Sequence, residues 1–396
     1  MPATSLRDAW MRRFHVARWL AHVWLYARHP DGRPLSWKRR ANLYLNRLEA
    51  ARLRPRLWSR PWHLIVEPSN ACNLRCPYCF TGAGGRGRKL GRLPLDAFRR
   101  VLDEIGDYLV DVELFGWGEP LLHPDLPEMI RAAASRGVFT VVNTNLSLPF
   151  DAARAEALVG SGLHNLTISI DGADQATYER YRVGGELALV VRNCELLTDA
   201  RRRLGRSEPG LAIEFHPFPH SAGETDAMRA LAARLGMELR IFKGQVPGEE
   251  WGTDQPFEFC TDPKLLPCTH PWSTLVLASD GGLAPCRGTF YRQDDMGRLT
   301  MTAGDGGAAS VAAVWNGDRY LTARRLFTKR EAPATDPDHP CVECPNTVAW
   351  DRWRRHSEAG GSAETFALGY GTNDAWNYFW RRVPATPARP HLRSPG

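Results

Sequence analysis

A partial (β/α)6 barrel followed by a smaller, turn-rich α+β unit is the fold this 396-residue chain predicts. Three observations lead there. At ~150 residues per domain, the length allows two or three domains. The hydrophobic fraction of 43% supplies a sizeable core. Residues 62–244 then alternate strand and helix signals. Short apolar, β-branched runs read as strands at His63–Glu67, Val112–Phe115, Phe139–Asn143, Asn165–Ile170, Ala212–Phe215 and Glu238–Phe242. Helical stripes lie between them. Phe98, Val101, Leu102 and Ile105 form one, Leu126, Met129, Ile130 and Ala133 a second, and Leu187, Val190, Val191, Cys194 and Leu197 a third. Six βα repeats imply a parallel sheet with right-handed crossovers, two repeats short of a full TIM barrel. Chemistry then belongs at the C-terminal ends of the strands.

The net charge is +7 and unevenly placed. Residues 1–60 hold 14 Lys or Arg and 3 acids, so the remainder is slightly acidic. This is a near-neutral body with a basic arm, and it excludes a nucleic-acid binder with a basic face. The arm holds Trp10, Trp19, Trp24, Trp37 and Trp58. Asp8 to Tyr26 reads as a basic amphipathic helix, either docked on the barrel, which we favour, or in weak contact with a membrane surface. No run of 18 apolar residues exists, and Arg18 and His22 interrupt the only apolar stretch near the start. A cytoplasmic location is the expectation.

Nine cysteines carry the chemical signal. Cys72, Cys76 and Cys79 form C-x3-C-x2-C. Cys268 and Cys286 enclose 17 residues, and Cys341 and Cys344 form C-x2-C. Thiolates at such spacing bind zinc or iron–sulfur clusters. Four thiolates close a site, whereas three on a four-iron cluster leave one iron open. Zinc at the first group would want a fourth ligand, and the nearest histidine, His63, precedes the strand. A zinc ribbon competes for the second group, against the 54 residues that separate Cys286 from Cys341. Cys194 lies on an apolar stripe and reads as core. Cys260 sits in a loop before the second group, either as a spare thiol or as a catalytic hydrogen donor. His216 and His220 follow the fifth strand at the catalytic end, where each reads as structural or, second, as a substrate contact.

The stretch Glu67-Pro68-Ser69-Asn70-Ala71-Cys72-Asn73-Leu74-Arg75-Cys76-Pro77-Tyr78-Cys79 resembles the signature loop of the radical S-adenosylmethionine (SAM) superfamily. Gly116-Trp117-Gly118-Glu119-Pro120 is similar to that family's Gly-Gly-Glu-Pro motif, with Trp117 interrupting the glycine pair. Ser169-Ile170-Asp171-Gly172 and Tyr181-Arg182-Val183-Gly184-Gly185 are similar to the subgroup with an auxiliary-cluster domain. The second cysteine group, with Gly281 and the Trp315-Asn316-Gly317 and Arg324-Arg325-Leu326-Phe327 stretches, resembles the short twitch form of the SPASM domain. The resemblance covers about residues 62–345.

That resemblance implies two [4Fe–4S] clusters and SAM. Cys72, Cys76 and Cys79 would hold the SAM-binding cluster, and Cys268, Cys286, Cys341 and Cys344 the auxiliary one. Gly116 and Gly118 would let the backbone approach the methionine amino group. Glu119 would assist there or brace the loop. Ser169 and Arg182 would hold the SAM carboxylate. Asn145 would meet the ribose hydroxyls, and Tyr78 the adenine. A reducing partner such as flavodoxin or ferredoxin is implied.

The domain reading follows: a Trp-rich helical arm at 1–60, the barrel at 61–250, the twitch/SPASM domain at 260–345 and an aromatic tail at 346–396. The expected activity is oxidation of a sugar, cyclitol or related metabolite by a dehydrogenase-like radical SAM enzyme. The alternatives are modification of a ribosomally made peptide and Cys260-dependent epimerisation. The arm lacks the strand alternation of a leader-peptide-binding domain, which weighs against the peptide. A zinc-binding interaction protein is the non-enzyme rival.

Overall fold

The computed structural model describes residues 28–85, 87–242, 267–301, 310–328, 336 and 338–359. Cys260, the Asp8–Tyr26 helix and the tail beyond residue 359 lie outside them. The strands are β1 (His63–Val66), β2 (Asp111–Leu114), β3 (Phe139–Thr144), β4 (Asn165–Ser169), β5 (Gly210–Phe215), β6 (Glu238–Ile241), β7 (Thr274–Leu277), β8 (Gly282–Ala284) and β9 (Gly297–Arg298). The helices of three turns or less to five turns are α1 (Trp37–Ala51), α2 (Leu95–Ile105), α3 (Leu126–Ala134), α4 (Ala152–Val159), α5 (Gln175–Tyr181), α6 (Leu187–Arg203), α7 (Thr225–Leu235), α8 (His270–Ser273), α9 (Val311–Trp315), α10 (Asp318–Arg325) and α11 (Pro345–Glu358).

All six expected strands form. They pair in parallel in sequence order, each step crossing through a helix, as a partial barrel requires. The helical stripes face the sheet: Phe98, Val101, Leu102 and Ile105 are all buried, as are Leu126, Met129, Ile130 and Ala133. Cys194 is buried on α6 and belongs to this core. Strand boundaries shift by a residue or two. β2 begins at Asp111 because its register pairs Asp111 with His63, whose Nδ1 meets the Asp111 carboxylate.

The sheet does not stop at β1. β7 pairs in parallel with β1, Leu64 opposite Leu275, and β8 and β9 add antiparallel to it. The second cysteine group therefore hangs from an extension of the barrel sheet, beside the strand that precedes the first group. Tyr320 on α10 reinforces this joint, its hydroxyl reaching the Thr274 and Ala284 carbonyls at 3.2 and 3.0 Å.

α1 docks on the barrel through polar groups. Ser36 caps it, and its buried residues are Arg39, Asn42, Asn46 and Glu49. Asn46 donates to Ser59 Oγ and to the Trp272 carbonyl, and accepts from the Trp62 indole. Glu49 accepts from the Trp58 and Ser59 amides and the Ser59 hydroxyl. No helix among the described residues is long and apolar enough to cross a membrane.

Candidate functional site

The three-cysteine loop leaves β1 at its C-terminal end and coils tightly. Cys79 N–H donates to the Cys76 carbonyl at 3.2 Å, Ala83 N–H to Cys79 at 2.7 Å and Gly85 N–H to Phe80 at 2.7 Å. Gly82 faces the Cys76 backbone so closely that a Cβ there would lie 2.6 Å from both its nitrogen and its oxygen. Only glycine closes that coil.

Burial raises all three thiols: Cys72 is pushed up to about 12, Cys76 to about 11, and Cys79 also rises. Their mutual charge adds to the effect on Cys72 and Cys76. Buried thiols of this kind ionise only when a metal or another positive charge compensates. The surroundings offer donors to sulfur. Leu74 N–H and Asn145 Nδ2 point at Cys72 Sγ, at 3.5 and 3.7 Å, and Arg182 Nη1 lies 4.0 Å from Cys76 Sγ. Three clustered thiols with N–H donors on their sulfurs form a donor set that fits an iron–sulfur cluster.

Glu119 is buried and braces this loop. Its backbone N–H donates to the Ala71 carbonyl at 2.8 Å. Its carboxylate accepts from Thr144 Oγ1 at 2.6 Å, Leu121 N–H at 2.9 Å and Asn145 N–H at 2.8 Å. The cysteine loop is thereby tied to the end of β3. Burial raises the Glu119 carboxyl, against the pull of those donors. Gly118 packs on the same loop, where a Cβ would lie 2.1 Å from the Ser69 carbonyl oxygen. At Gly116 a Cβ would meet the Glu67 side chain at 2.9 Å. The two glycines thus have a packing reason to be glycine, beside the ligand reason read from sequence.

Arg182 and Ser169 lie at the same end of the barrel. Ser169, the last residue of β4, donates to Asn143 Oδ1 at 2.9 Å. Arg182 follows α5 and donates through Nε to Asp171 at 2.6 Å. Asp171 also accepts from the backbone N–H of His216 at 3.0 Å and sits 3.1 Å from its Nδ1. Burial opposes charge on Asp171, but Arg182 and His216 outweigh it and hold the carboxyl below its ordinary range. Asp171 thus orients Arg182, a role the Ser169–Gly172 motif hinted at without assigning. Asn145 turns toward the cysteine loop, with Cys72 and Asn73 as partners of its Nδ2 and Ser147 N–H donating to its Oδ1 at 2.8 Å. Tyr78 packs with Phe218 and Tyr181. His216 is half-buried over Asp171, and His220 stacks on Phe218 with centroids 5.7 Å apart.

Three cysteines of the second group, Cys286, Cys341 and Cys344, are linked near α10 through Tyr320 and one another. Cys286 follows β8, Cys344 caps α11, and Cys268 precedes α8. Burial raises Cys286 to about 12, and the Cys344 thiol adds to it. Tyr320 is close enough to feel both Cys286 and Cys341. The backbone N–H groups of Gly288 and Thr289 pull the Cys286 thiol the other way. This donor set also fits a thiolate-held cluster.

Sequence reasoning missed what joins the two groups. Arg88, nine residues after Cys79 in a glycine-rich loop, pairs with Asp280 and Asp295 and donates to the Phe290 and Tyr291 carbonyls at 3.2 and 3.3 Å. Arg287 lies 4.2 Å above the Phe115 ring and pairs with Glu113. A cavity of about 140 Å³ is lined by Ile65, Glu67, Trp117, Val276, Arg287 and Phe290, between the two cysteine loops. Since Arg287 and Phe290 lie more than 150 residues from Trp117, no local pattern could announce that wall.

Residues 66–206 match the radical SAM superfamily, and residues 268–345 match SPASM, an iron–sulfur cluster-binding domain. Together the two matches cover more than half of the chain. A mycofactocin maturase of Mycobacterium ulcerans is 30% identical over 46% of this chain and 47% of its own. A PqqA peptide cyclase of Granulibacter bethesdensis is 31% identical over 32% of each. The chain spans about half the length, or less, of such relatives. In structure it is similar to Streptococcus suis SuiB bound to S-adenosylmethionine, with a TM-score of 0.52 at 15% identity over 76% of both chains. That likeness is one of fold.

Proposed function

The chain belongs to the radical SAM superfamily and carries a SPASM iron–sulfur domain, and from that premise we propose that it modifies a ribosomally made peptide. It is a radical SAM enzyme whose cofactors are SAM and [4Fe–4S] clusters. One observation carries the substrate class: a stretch of 125 residues resembles a PqqA peptide cyclase at 31% identity, alongside a mycofactocin maturase at 30% over 181 residues. This favours the peptide over the sugar or cyclitol oxidation that the sequence alone put first.

In this reading Cys72, Cys76 and Cys79 hold the SAM-binding cluster, and Cys268, Cys286, Cys341 and Cys344 the auxiliary one. When bound, the SAM-binding cluster would supply the electron for reductive cleavage of SAM and so the means to abstract a substrate hydrogen atom. The protein's own share is positional. Glu119 locks the cysteine loop to β3. Asp171 presents the Arg182 guanidinium, whose planar fork suits the SAM carboxylate. Ser169 offers a hydroxyl on the same rim. Gly116, Gly118, Asn145 and Tyr78 shape the remaining contacts. A flavodoxin- or ferredoxin-like carrier delivers electrons.

The test is anaerobic turnover with SAM, a chemical reductant and synthetic peptides encoded beside the gene. A cognate peptide should stimulate 5′-deoxyadenosine release and change mass. If none does so, while a sugar or cyclitol stimulates release and leaves two mass units lighter, the dehydrogenase reading replaces this one. Deuterium gained from D2O, and lost in Cys260→Ala, would install the epimerase.

A further inference from the structure

Trp117 interrupts the glycine pair of its motif, and its polar groups reach three places. Its backbone N–H donates to Glu67 Oε1 at 3.2 Å. Its carbonyl accepts from the Cys79 thiol at 3.7 Å. Its indole Nε1–H donates to the Arg287 carbonyl at 3.2 Å. The ring stands edge-on to Phe80 at 4.7 Å and to Phe290 at 5.8 Å, and those two stack at 5.1 Å. One residue therefore touches a cysteine of the first group and the neighbour of a cysteine of the second.

The second contact has a direction. The Arg287 carbonyl and the Gly288 N–H belong to one peptide unit, inside a turn that Thr289 closes by donating its N–H and its hydroxyl to the Cys286 carbonyl, at 3.3 and 2.5 Å; the Gly288 N–H also draws the Cys286 thiol downward against its burial. The indole thus grips the turn that carries Cys286. Gly288 has no Cβ to hold this plane in place, and glycine is free to turn it. The Arg287 side chain is pinned elsewhere, on Phe115 and Glu113.

We propose that Trp117 is a positioning residue for the auxiliary iron–sulfur site: it holds the Arg287–Gly288 peptide so that the Gly288 N–H stays aimed at Cys286. A carbonyl that accepts a hydrogen bond polarises its peptide and strengthens the N–H as a donor. Hydrogen bonds to cluster sulfurs stabilise the reduced, more negative state, and so raise the reduction potential. Trp117 thus tunes the second cluster from the motif that frames the first. The inference does not depend on which substrate is modified.

The test is a redox titration followed by electron paramagnetic resonance on the full-length, reconstituted protein. The signal that added SAM leaves unshifted reports the auxiliary cluster. Trp117→Phe keeps a ring and removes the donor. Trp117 replaced by benzothienylalanine removes only the N–H. Both should keep wild-type iron content while the auxiliary signal titrates at a more negative potential with altered g-values. A wild-type midpoint and spectrum in the benzothienylalanine protein would overturn the proposal and leave Trp117 as packing. Should Trp117→Phe lose the cluster outright, the isosteric protein decides alone. Loss of the cluster there too counts for the N–H, the only group removed.

Discussion

Asp171 accepts the Arg182 Nε–H at 2.6 Å, and the carboxylate is fully buried. A buried pair of this kind constrains geometry more than it adds stability. Asp171 occupies Nε, and Nη1 of Arg182 lies 4.0 Å from Cys76 Sγ. An arginine without that anchor would be free to swing its long side chain elsewhere.

The first prediction concerns this anchor. Asp171→Asn leaves a buried guanidinium without its counter-charge, which costs about 3–5 kcal/mol of stability when a buried pair is broken. Arg182→Lys keeps the charge and loses the planar fork. Its SAM affinity should fall by roughly 1–3 kcal/mol, the worth of a charged hydrogen bond. Calorimetric titration with SAM and thermal unfolding read the two effects. Unchanged SAM affinity in Arg182→Lys would move the carboxylate site to other residues.

The second prediction separates the two glycines of the motif. A Cβ at Gly118 meets backbone, the Ser69 carbonyl at 2.1 Å and the Ala71 carbonyl at 2.8 Å. A Cβ at Gly116 meets the Glu67 side chain less closely, its Cβ at 2.9 Å and its Cγ at 3.0 Å. Gly118→Ala should therefore displace the cysteine loop, cost more than the ~1–3 kcal/mol of ordinary overpacking, and reduce bound iron. Gly116→Ala should be milder on both counts. Iron assays and melting curves compare the pair, and equal effects would refute the packing account.

How much of this could be read in advance depends on how local the cause is. The stripe Phe98, Val101, Leu102 and Ile105 was legible because a helix facing a sheet must repeat its apolar residues. α1 was not, because it buries Arg39, Asn42, Asn46 and Glu49, which read as solvent-facing. β7 was not placed either. Its partner β1 lies some 200 residues earlier, and nothing in Thr274–Leu277 names it. Of the candidate site, the cysteine spacing and the Gly116–Pro120 motif were visible as patterns. The bonds that order them, Asp171 to Arg182 and Trp117 to Arg287, arise only when separate loops meet.

The third prediction tests α1. Arg39 donates to the carbonyls of Leu109, Gly106 and Arg136, at 2.5, 3.1 and 2.6 Å. It thereby closes the end of α2 and the turn after α3. Arg39→Ala removes the partner of three carbonyls, two of them in buried bonds, and about 3 kcal/mol should be lost, since each is a charge-assisted bond and their effects overlap. Urea unfolding of the two proteins measures it. A loss under ~0.5 kcal/mol, typical of a surface change, would contradict the docking described.

The fourth prediction is a pH dependence. His164 Nδ1 accepts the Thr140 N–H at 3.0 Å, and His123 Nδ1 accepts the Asp125 N–H at 3.0 Å. Protonation turns each acceptor into a donor facing a donor. Burial lowers both histidines from their ordinary range, with Arg33 lowering His164 further while Asp31 and Glu208 pull it up. The unfolded chain therefore takes up these protons first as the pH falls. Stability present above about pH 6.5 is lost as the pH drops below it. Urea midpoints at pH 7.5 and 5.5 should show the decline. Replacing His123, whose surroundings hold fewer charges, should flatten it in part.

The fifth prediction joins cysteine count to chemistry. Three thiols on one four-iron cluster and four on another sum to about eight irons in the anaerobically purified protein. Cys72→Ala, Cys76→Ala and Cys79→Ala combined should leave about four, because the second group is held by α10, α11 and the β7–β8 extension and needs nothing from that loop's sulfurs. The same variant should release no 5′-deoxyadenosine. Cys286→Ala gives the reverse pattern: SAM cleavage without substrate should persist, since the first group keeps its own donors at Leu74, Asn145 and Arg182. Iron and sulfide assays with chromatography of the nucleoside products check both variants. A triple variant that still cleaves SAM, or a wild type that carries zinc alone, would reject the assignment of the two groups.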